Sequence, residues 1–139
     1  MSEVTARRPL PLLEPLTRHY WTGGAEGQLL IQRCGACGTW QHPPQPLCAR
    51  CQSDEVAPAP VSGRGRVATF TVNHQIWLPG LAVPFVFAAV ELVEQAELYV
   101  LTNILAPVDR VHAGMAVSVC FEQHEDVFLP MFRPAGSEA

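Results

Sequence analysis

The chain has 139 residues, enough for one domain or for a small module attached to one domain. Its formal net charge is −4, and all nine basic residues are arginine. Without lysine it cannot form a Schiff base on its own side chains, and its acidic balance disfavours a general polyanion binder. No stretch approaches the ~20 apolar residues that span a bilayer. We therefore expect a cytoplasmic protein that binds neither nucleic acid nor membrane.

The first third of the chain predicts a flexible lead, a short helix and a strand. Residues 1–13 are rich in proline and form the lead. The segment 14–24 predicts a helix that ends at its glycines. Leu16, Tyr20 and Trp21 fall on one helix face, which must pack either on the rest of the chain or on another subunit. Residues 28–33 then predict a strand that leads into the first cysteines.

Two Cys-x-x-Cys pairs lie ten residues apart, Cys34 with Cys37 and Cys48 with Cys51. Each pair can direct two thiolates at one point, and four thiolates make a tetrahedral site for a metal such as zinc. The surrounding segment is too polar and too rich in turn formers to bury its own core. Bound zinc would supply the missing folding free energy, roughly 10–16 kcal/mol. We interpret residues 14–56 as a helix followed by a structural zinc ribbon.

Other interpretations of the cysteines stay open from sequence. Two disulfides would suit a secreted chain, but the N-terminus shows no apolar signal stretch. An iron centre of the rubredoxin type would use the same ligands, usually with a longer insert between the pairs. A catalytic zinc is disfavoured because four thiolates leave no position for water. Between the pairs, Trp40 is expected to cover the metal site, and His42 to be solvated or to donate a hydrogen bond near it.

The second half of the chain predicts a small barrel. Residues 57–60 alternate alanine with proline and predict a linker, and an OB-fold is expected over 61–134. Strand-like runs cover 64–76, 84–94, 97–105, 115–123 and 127–132. Five strands with a gap after the third are typical of a Greek-key barrel of the OB type. Cys120 is expected to be a small strand residue, and 135–139 a frayed tail. The predicted fold is mainly β: a short helix and rubredoxin-like zinc ribbon followed by a five-stranded OB-fold barrel.

A glycine and arginine motif precedes the first barrel strand. Gly63 and Gly65 permit close backbone approach, and the guanidinium groups of Arg64 and Arg66 could bind the phosphates of coenzyme A (CoA). A glycine turn that leads into a strand with solvated arginines is the alternative.

Two segments predict contacts with a partner protein. Residues 76–85 form an unusually apolar loop, in which Trp77 and Leu81 are expected to anchor an interface. Tyr20 and Trp21 of the short helix are expected to contribute to the same kind of contact.

Candidate catalytic groups are few. His19, His42, His74, His112 and His124 show no spacing with a cysteine, serine or acid that suggests a triad. Glu91, Glu94 and Glu97 cluster at a predicted hairpin, where a solvated tip is expected. We predict no catalytic residues and little activity from the isolated chain.

Several short motifs resemble, in their order and spacing, a family that combines a rubredoxin-like zinc ribbon with an OB-fold. The family was long catalogued as domain of unknown function thirty-five and associates with acyl-CoA enzymes. The matching residues are 20–21, 27–29, 32–38, 43–44, 48–51, 62–67, 69–72, 114–117, 121–122 and 129–134. The similarity covers about residues 14–134.

The resemblance implies a non-catalytic accessory subunit that binds and stabilises a thiolase-like, lipid-transfer-type enzyme. The implied reaction is retro-aldol cleavage of a steroid side-chain CoA thioester, with acyl-CoA at the shared interface and the chain helping to form the CoA entrance. An accessory subunit of an acetyl-CoA acetyltransferase or thiolase complex is the alternative within the family. Zinc ribbons and OB-folds also bind single-stranded nucleic acid, which is the alternative outside it.

Overall fold

The described part of the computed structural model comprises residues 10–75 and 83–135. It contains a short helix, a three-stranded sheet and a closed five-stranded barrel, in that order along the chain. The fold class predicted from the sequence is confirmed.

The N-terminal helix, α1, spans Arg18–Thr22 and continues as a 3-10 helix over Gly23–Glu26. Gly27 ends it with a φ of 71°, in the left-handed region that glycine adopts without a steric penalty. Tyr20 is buried, as the sequence predicts, but Leu16 precedes the helix and is 40% exposed. The expectation that Leu16 shares the buried face is therefore wrong, because the helix begins later than its pattern suggests.

The helical segment packs on the barrel of its own chain. A Cβ atom on Gly24 would lie 2.6 Å from the Cβ of Phe128 and 2.7 Å from Cδ1 of Phe121. Only a residue without a side chain permits this approach. The sequence predicts that this helix packs either on its own chain or on another subunit, and the structure shows packing on its own chain.

The ribbon sheet is antiparallel and has the order β2-β1-β3, with β1 at Leu29–Cys34, β2 at Trp40–Gln41 and β3 at Val56–Val61. The linker predicted over 57–60 is wrong, because these residues belong to β3 and pair with β1. Proline cannot donate to a strand ladder and is tolerated on edge strands. The edge position of β3 therefore explains how Pro58 and Pro60 fit in a sheet.

The barrel strands are β4 (Arg64–Asn73), β5 (Phe85–Leu92), β6 (Tyr99–Ile104), β7 (Ala116–His124) and β8 (Val127–Pro134). Their order is β4-β5-β6-β8-β7, and β7 pairs with β4 to close the barrel. Only the β6–β8 contact is parallel among these pairs. The β6–β7 connection contains one 3-10 turn, Val108–Arg110.

One apolar core joins the ribbon to the barrel. Tyr20, Leu29, Ile31 and Trp40 belong to the same buried cluster as barrel side chains such as Phe132, which is fully buried. Burial of such side chains contributes roughly 1.5–3 kcal/mol each. The two parts of the chain therefore share their main source of stability.

The turn between β5 and β6 adds polar contacts across the same junction. The Gln95 side chain accepts from the Trp40 backbone N–H at 3.0 Å and donates to the Trp40 carbonyl at 2.8 Å. The adjacent Glu94 carboxylate accepts from the backbone N–H of Ser62 at 2.7 Å. Because the Gln95 amide satisfies both backbone groups of one ribbon residue, it fixes β2 against the barrel.

We expect Gln95→Leu to lower the free energy of unfolding by about 1–3 kcal/mol, because it leaves both backbone groups of Trp40 without this partner. Urea unfolding would measure the change. Gln28→Leu is the matched control, since Gln28 is exposed and its replacement should alter stability by less than about 0.5 kcal/mol. Equal stabilities for the two variants would contradict a junction held by Gln95.

Candidate metal centre and adjoining groove

Four cysteine thiols converge beside the ribbon sheet. Cys34 ends β1, Cys37 lies in the turn that follows, and Cys48 and Cys51 lie in a second turn. Their Sγ atoms all lie within 4.8 Å of one another. The Cys34–Cys51 and Cys37–Cys48 sulfur separations are 3.6 and 3.7 Å. The structure thus brings together the four residues that the sequence predicts as metal ligands.

The two cysteine turns have the same hydrogen-bond pattern. Around Cys34, the backbone N–H groups of Ala36 and Cys37 donate to the sulfur at 3.3 and 3.4 Å. The second turn repeats both distances around Cys48. Hydrogen bonds of this kind favour the charged form of an acceptor, and second-layer contacts orient metal ligands.

The sulfur spacing fits a tetrahedral metal–thiolate centre. A metal–sulfur distance of ≈ 2.3 Å gives a tetrahedron with sulfur–sulfur edges of roughly 3.8 Å. The observed 3.6 and 3.7 Å are close to that value, whereas a disulfide needs about 2.0 Å. All five cysteines are free, so the disulfide alternative is wrong. Four sulfur ligands fill a tetrahedral site and leave no position for a reactive water.

The electrostatics of the four thiols also favour a bound cation. Hydrogen bonds with Thr39 lower the pKa of Cys37 to about 6. The backbone hydrogen bond to Ser53 lowers the pKa of Cys51, but the neighbouring thiol of Cys34, desolvation and the other two thiols outweigh it and raise that pKa to about 12. Four thiolates this close together repel one another unless a divalent cation is bound between them.

Two glutamine side chains hold the loop that carries the second cysteine pair. Gln32, 3% exposed in β1, accepts from the Gln45 N–H at 2.9 Å and donates to its carbonyl at 2.8 Å. Gln41 in β2 accepts from the Ala49 N–H at 2.9 Å and donates to the Leu47 carbonyl at 3.1 Å. Sequence reasoning missed both, because their role depends on the β1–β2 register that places Gln32 opposite Gln41.

A largely apolar groove of about 460 Å³ lies between α1, the loop after β2, and β6. Its walls include Trp21 of α1, Pro43 of the loop, and Tyr99 and Leu101 of β6. Tyr20 forms part of the floor, with its ring centroid 4.7 Å from that of Trp21. The groove thus combines ribbon and barrel residues, a combination that no local sequence pattern encodes.

His42 lines this groove and is partly buried, with its Nδ1 atom out of solvent, so the expectation of a solvated side chain is wrong. Its ring centroid is 4.5 Å from that of Tyr20. Burial, with a smaller contribution from His19, lowers the pKa of His42 to about 4, so the ring is neutral at pH 7. Its Nδ1 atom finds no hydrogen-bond partner within residues 10–75 and 83–135.

The arginine and glutamate residues near β4 and β5 form a brace. Arg66 donates to the Glu91 carboxylate at 2.9 and 3.1 Å. The other Glu91 oxygen accepts from the Glu97 N–H at 2.8 Å, and this bond, followed by Arg66, lowers the pKa of Glu91. Glu94 binds Ser62, as described above. The hairpin acids are therefore not a solvated tip, since two of them hold the backbone.

The glycines beside Arg66 have a structural role. Gly63 has a φ of 82°, and a Cβ there would collide with the side chain of Val119. A Cβ on Gly65 would lie 2.6 Å from the Glu91 carbonyl oxygen. Arg64 is exposed on β4. CoA contacts by this motif remain a prediction, in which Arg66 would have to bind phosphate while paired to Glu91.

The predicted interface residues have different outcomes. Tyr20 is only 5% exposed because most of its surface packs in the core. Trp21 lines the groove, where its side chain is accessible to a partner. Trp77 and Leu81 lie outside the described residues. Trp40 packs in the core, and the Cζ atom of the Arg33 guanidinium lies over its ring, 4.7 Å from the ring centroid.

Comparison with protein families gives two adjacent matches. The model described as "ChsH2, rubredoxin-like zinc ribbon domain" matches residues 21–57, and "ChsH2, C-terminal OB-fold domain" matches residues 59–122. The chain belongs to this family of zinc-ribbon and OB-fold proteins. The resemblance read from the short motifs is confirmed.

Three curated relatives are named as subunits of enzymes that act on CoA thioesters. The chain is 36% identical over 133 residues to the "Probable enoyl-CoA hydratase alpha subunit" of Thermomonospora curvata, covering 94% of this chain and 41% of the relative. It is 36% identical to the "3-oxo-4,17-pregnadiene-20-carboxyl-CoA hydratase alpha subunit" of Mycobacterium tuberculosis, covering 85% and 37%. It is also 36% identical to the "Benzoylsuccinyl-CoA thiolase subunit BbsA" of Geobacter metallireducens, covering 48% and 44%. The chain thus spans less than half the length of these relatives.

A solved structure matches over nearly its full chain. A chain of the "Ltp2-ChsH2(DUF35) aldolase" superposes with a TM-score of 0.82 and 32% sequence identity, covering 91% of this chain and 99% of that one. Separately, no helix within the described residues is long and apolar enough to cross a membrane.

We expect Cys48→Ser to lose most of the bound metal, because the serine oxygen is a poor replacement for a buried thiolate. Elemental analysis should find about one metal ion per wild-type chain and far less in the variant. Cys120→Ser should keep the full complement, since Cys120 lies on β7 outside the thiol cluster. Full metal retention in Cys48→Ser would refute the four-thiolate site.

We expect the free energy of unfolding to decrease as the pH is lowered, because His42 must be neutral in the folded state. The folded pKa, about 4, is below the ordinary value of about 6.5, so the unfolded chain binds the proton more tightly. The contribution of neutral His42 is complete above pH 6.5 and is lost as the pH falls toward 4. Between pH 7.5 and 5, wild type should lose about 2 kcal/mol more than His42→Phe.

Urea unfolding at the two pH values would measure this difference. His74→Gln is the control, because His74 is exposed and its variant should keep the pH dependence of wild type. An identical loss in wild type and His42→Phe would show that His42 does not titrate as a buried, neutral ring.

Proposed function

We propose that the chain is a non-catalytic accessory subunit that binds and stabilises a thiolase-like enzyme acting on acyl-CoA. The observation that carries the proposal is the match to 99% of a chain in an aldolase complex. That chain is of nearly the same extent as this one, so the similarity is not restricted to one module. The thiolase subunit name of a further relative supports the class of partner.

The chemistry of the described residues supports an auxiliary role. The four-cysteine centre has no open ligand position, so a metal there would organise the ribbon and not activate water. Burial raises the pKa of the Cys120 thiol, which makes it a poor nucleophile at neutral pH. His74, one of the histidines considered above, is an exposed side chain that directly follows β4. We infer that the chain alone has little activity.

For the reaction we propose retro-aldol cleavage of a steroid side-chain CoA thioester. The matched structure is named as an aldolase, and one relative is named for a pregnadiene carboxyl-CoA substrate. The chain would help to form the CoA entrance of the complex. The alternative within the same class is an acetyl-CoA acetyltransferase or thiolase complex, which the name of the thiolase subunit relative supports.

We further propose that the metal is zinc and that the protein works in the cytoplasm. Zinc takes four thiolates in a tetrahedron without redox chemistry, and five free cysteines suit a reducing compartment. An iron-loaded ribbon would be coloured, so a colourless preparation with stoichiometric zinc is the expected result. Single-stranded nucleic acid fits less well, because such binders need a positive groove with stacking aromatics and the groove here is apolar.

Co-expression with thiolase-like proteins encoded near this chain would test the proposal. We expect a stable hetero-oligomer in size-exclusion chromatography with light scattering, and cleavage of a steroid-derived acyl-CoA by the complex. The isolated chain serves as the control and should show no turnover. Turnover by the chain alone, or failure to bind any of these proteins, would contradict the accessory role.

A further inference from the structure

The outward face of β5 and β6 carries large apolar side chains. Phe87 is 44% exposed, Tyr99 42% and Leu101 63%. In both strands the alternate residues point inward and are buried, so these three belong to the solvent side of the barrel. Polar side chains usually occupy that side of a half-solvated sheet. Contiguous exposed apolar surface is typical of a protein interface.

The strand register brings these apolar side chains near one another, with Phe87 opposite Asn103 and diagonal to Leu101. Ala89 of β5 lies opposite Leu101, Phe87 lies two residues along from Ala89, and Tyr99 lies opposite Glu91. Neighbours on one face of a sheet are close enough to be covered by the same partner. We call this surface, with Phe87, Ala89, Tyr99 and Leu101, the β5–β6 face.

The β5–β6 face continues into the groove across the junction of the two modules. Tyr99 and Leu101 belong to both, and Trp21 and Pro43 extend the apolar surface onto the helix and the ribbon. The Gln95 contacts with Trp40 hold the ribbon against the barrel beside it. A partner would therefore meet one preformed surface, which lowers the conformational cost of binding.

The charges around this surface indicate a protein partner. Glu91 at its edge forms an ion pair with Arg66 and accepts a hydrogen bond from the Glu97 N–H. The groove walls named above are aromatic or aliphatic, and Arg66 at the edge is already paired with Glu91. Within the described residues, this surface is therefore poorly suited to recognise the phosphates of CoA or of nucleic acid. Aromatic side chains that surround an apolar depression are typical of interface anchors.

We propose that the β5–β6 face and its groove are the docking site for the thiolase-like subunit, with Leu101 and Tyr99 as central anchors and Trp21 beside them. This rests on the proposed function, which supplies the class of partner. The occupant is a subunit and not a second copy, because the matched chain belongs to a structure whose name pairs ChsH2 with a second protein, Ltp2. Trp21 keeps the interface role predicted from the sequence.

Leu101→Arg tests the proposal by placing a charge in the middle of the apolar surface. We expect it to weaken binding of the co-expressed thiolase-like subunit at least about 30-fold in isothermal titration, the effect of losing a central interface residue. Val93→Arg is the matched control. Val93 is 59% exposed but borders a different depression, with Gly65 and Gly114, and its variant should bind within about 2-fold of wild type.

Bound metal and urea unfolding would verify that each variant is folded. Leu101→Ser provides a milder second variant if the arginine disturbs the strand, and it should also weaken binding. Equal affinity of wild type and both Leu101 variants would overturn the docking site while leaving the proposed function intact. If wild type binds no thiolase-like subunit, the proposed function itself fails. Light scattering of the chain alone completes the test, since self-association abolished by Leu101→Arg would assign the face to a second copy and overturn the proposal.

Discussion

The ribbon depends on bringing four sulfur atoms together across two turns that have little apolar surface of their own. Backbone N–H groups aimed at Cys34 and Cys48 prepare the same environment in both turns. A cation bound between the thiolates would then replace the apolar core that such a short segment cannot form. The amides of Gln32 and Gln41 extend this order outward, because they bind the backbone of the loop on both sides of Cys48. Metal ligation by the four thiolates and hydrogen bonding by the two amides would therefore fix the conformation of the same loop.

Strand β2 connects the ordered ribbon to the barrel. Trp40 pairs with Arg33 of β1 in the ribbon and binds the Gln95 side chain of the β5–β6 turn. Its ring lies in the same core as Phe132 of β8. The ribbon and the OB barrel are therefore joined by apolar packing and by a pair of hydrogen bonds to one peptide unit. A fixed junction of this kind explains how residues from both modules can line a single groove.

Local pattern was sufficient to predict the convergence of the four cysteines and the barrel strands. The Cys-x-x-Cys spacing constrains each turn directly, and period-two alternation with short connections identifies β5 to β8. The sequence misled where a residue's role depends on distant partners. Pro58 and Pro60 read as a linker because their edge position in a sheet is a property of strand order. His42 read as solvated because Tyr20, whose ring packs against it, and the β6 side chains of the same groove come from segments far from it in the chain.

The same reasoning explains why the apolar side chains of β5 and β6 escaped notice. A barrel strand buries alternate residues, so Phe87 and Leu101 look like ordinary β-formers until the barrel closure assigns them to the outside. Pro43 then connects that outside surface to the loop held by Gln32 and Gln41. Loss of the metal would release this loop and with it one wall of the groove. In the proposed complex, metal binding and docking at the β5–β6 face would be coupled through the groove, and by linkage each would strengthen the other.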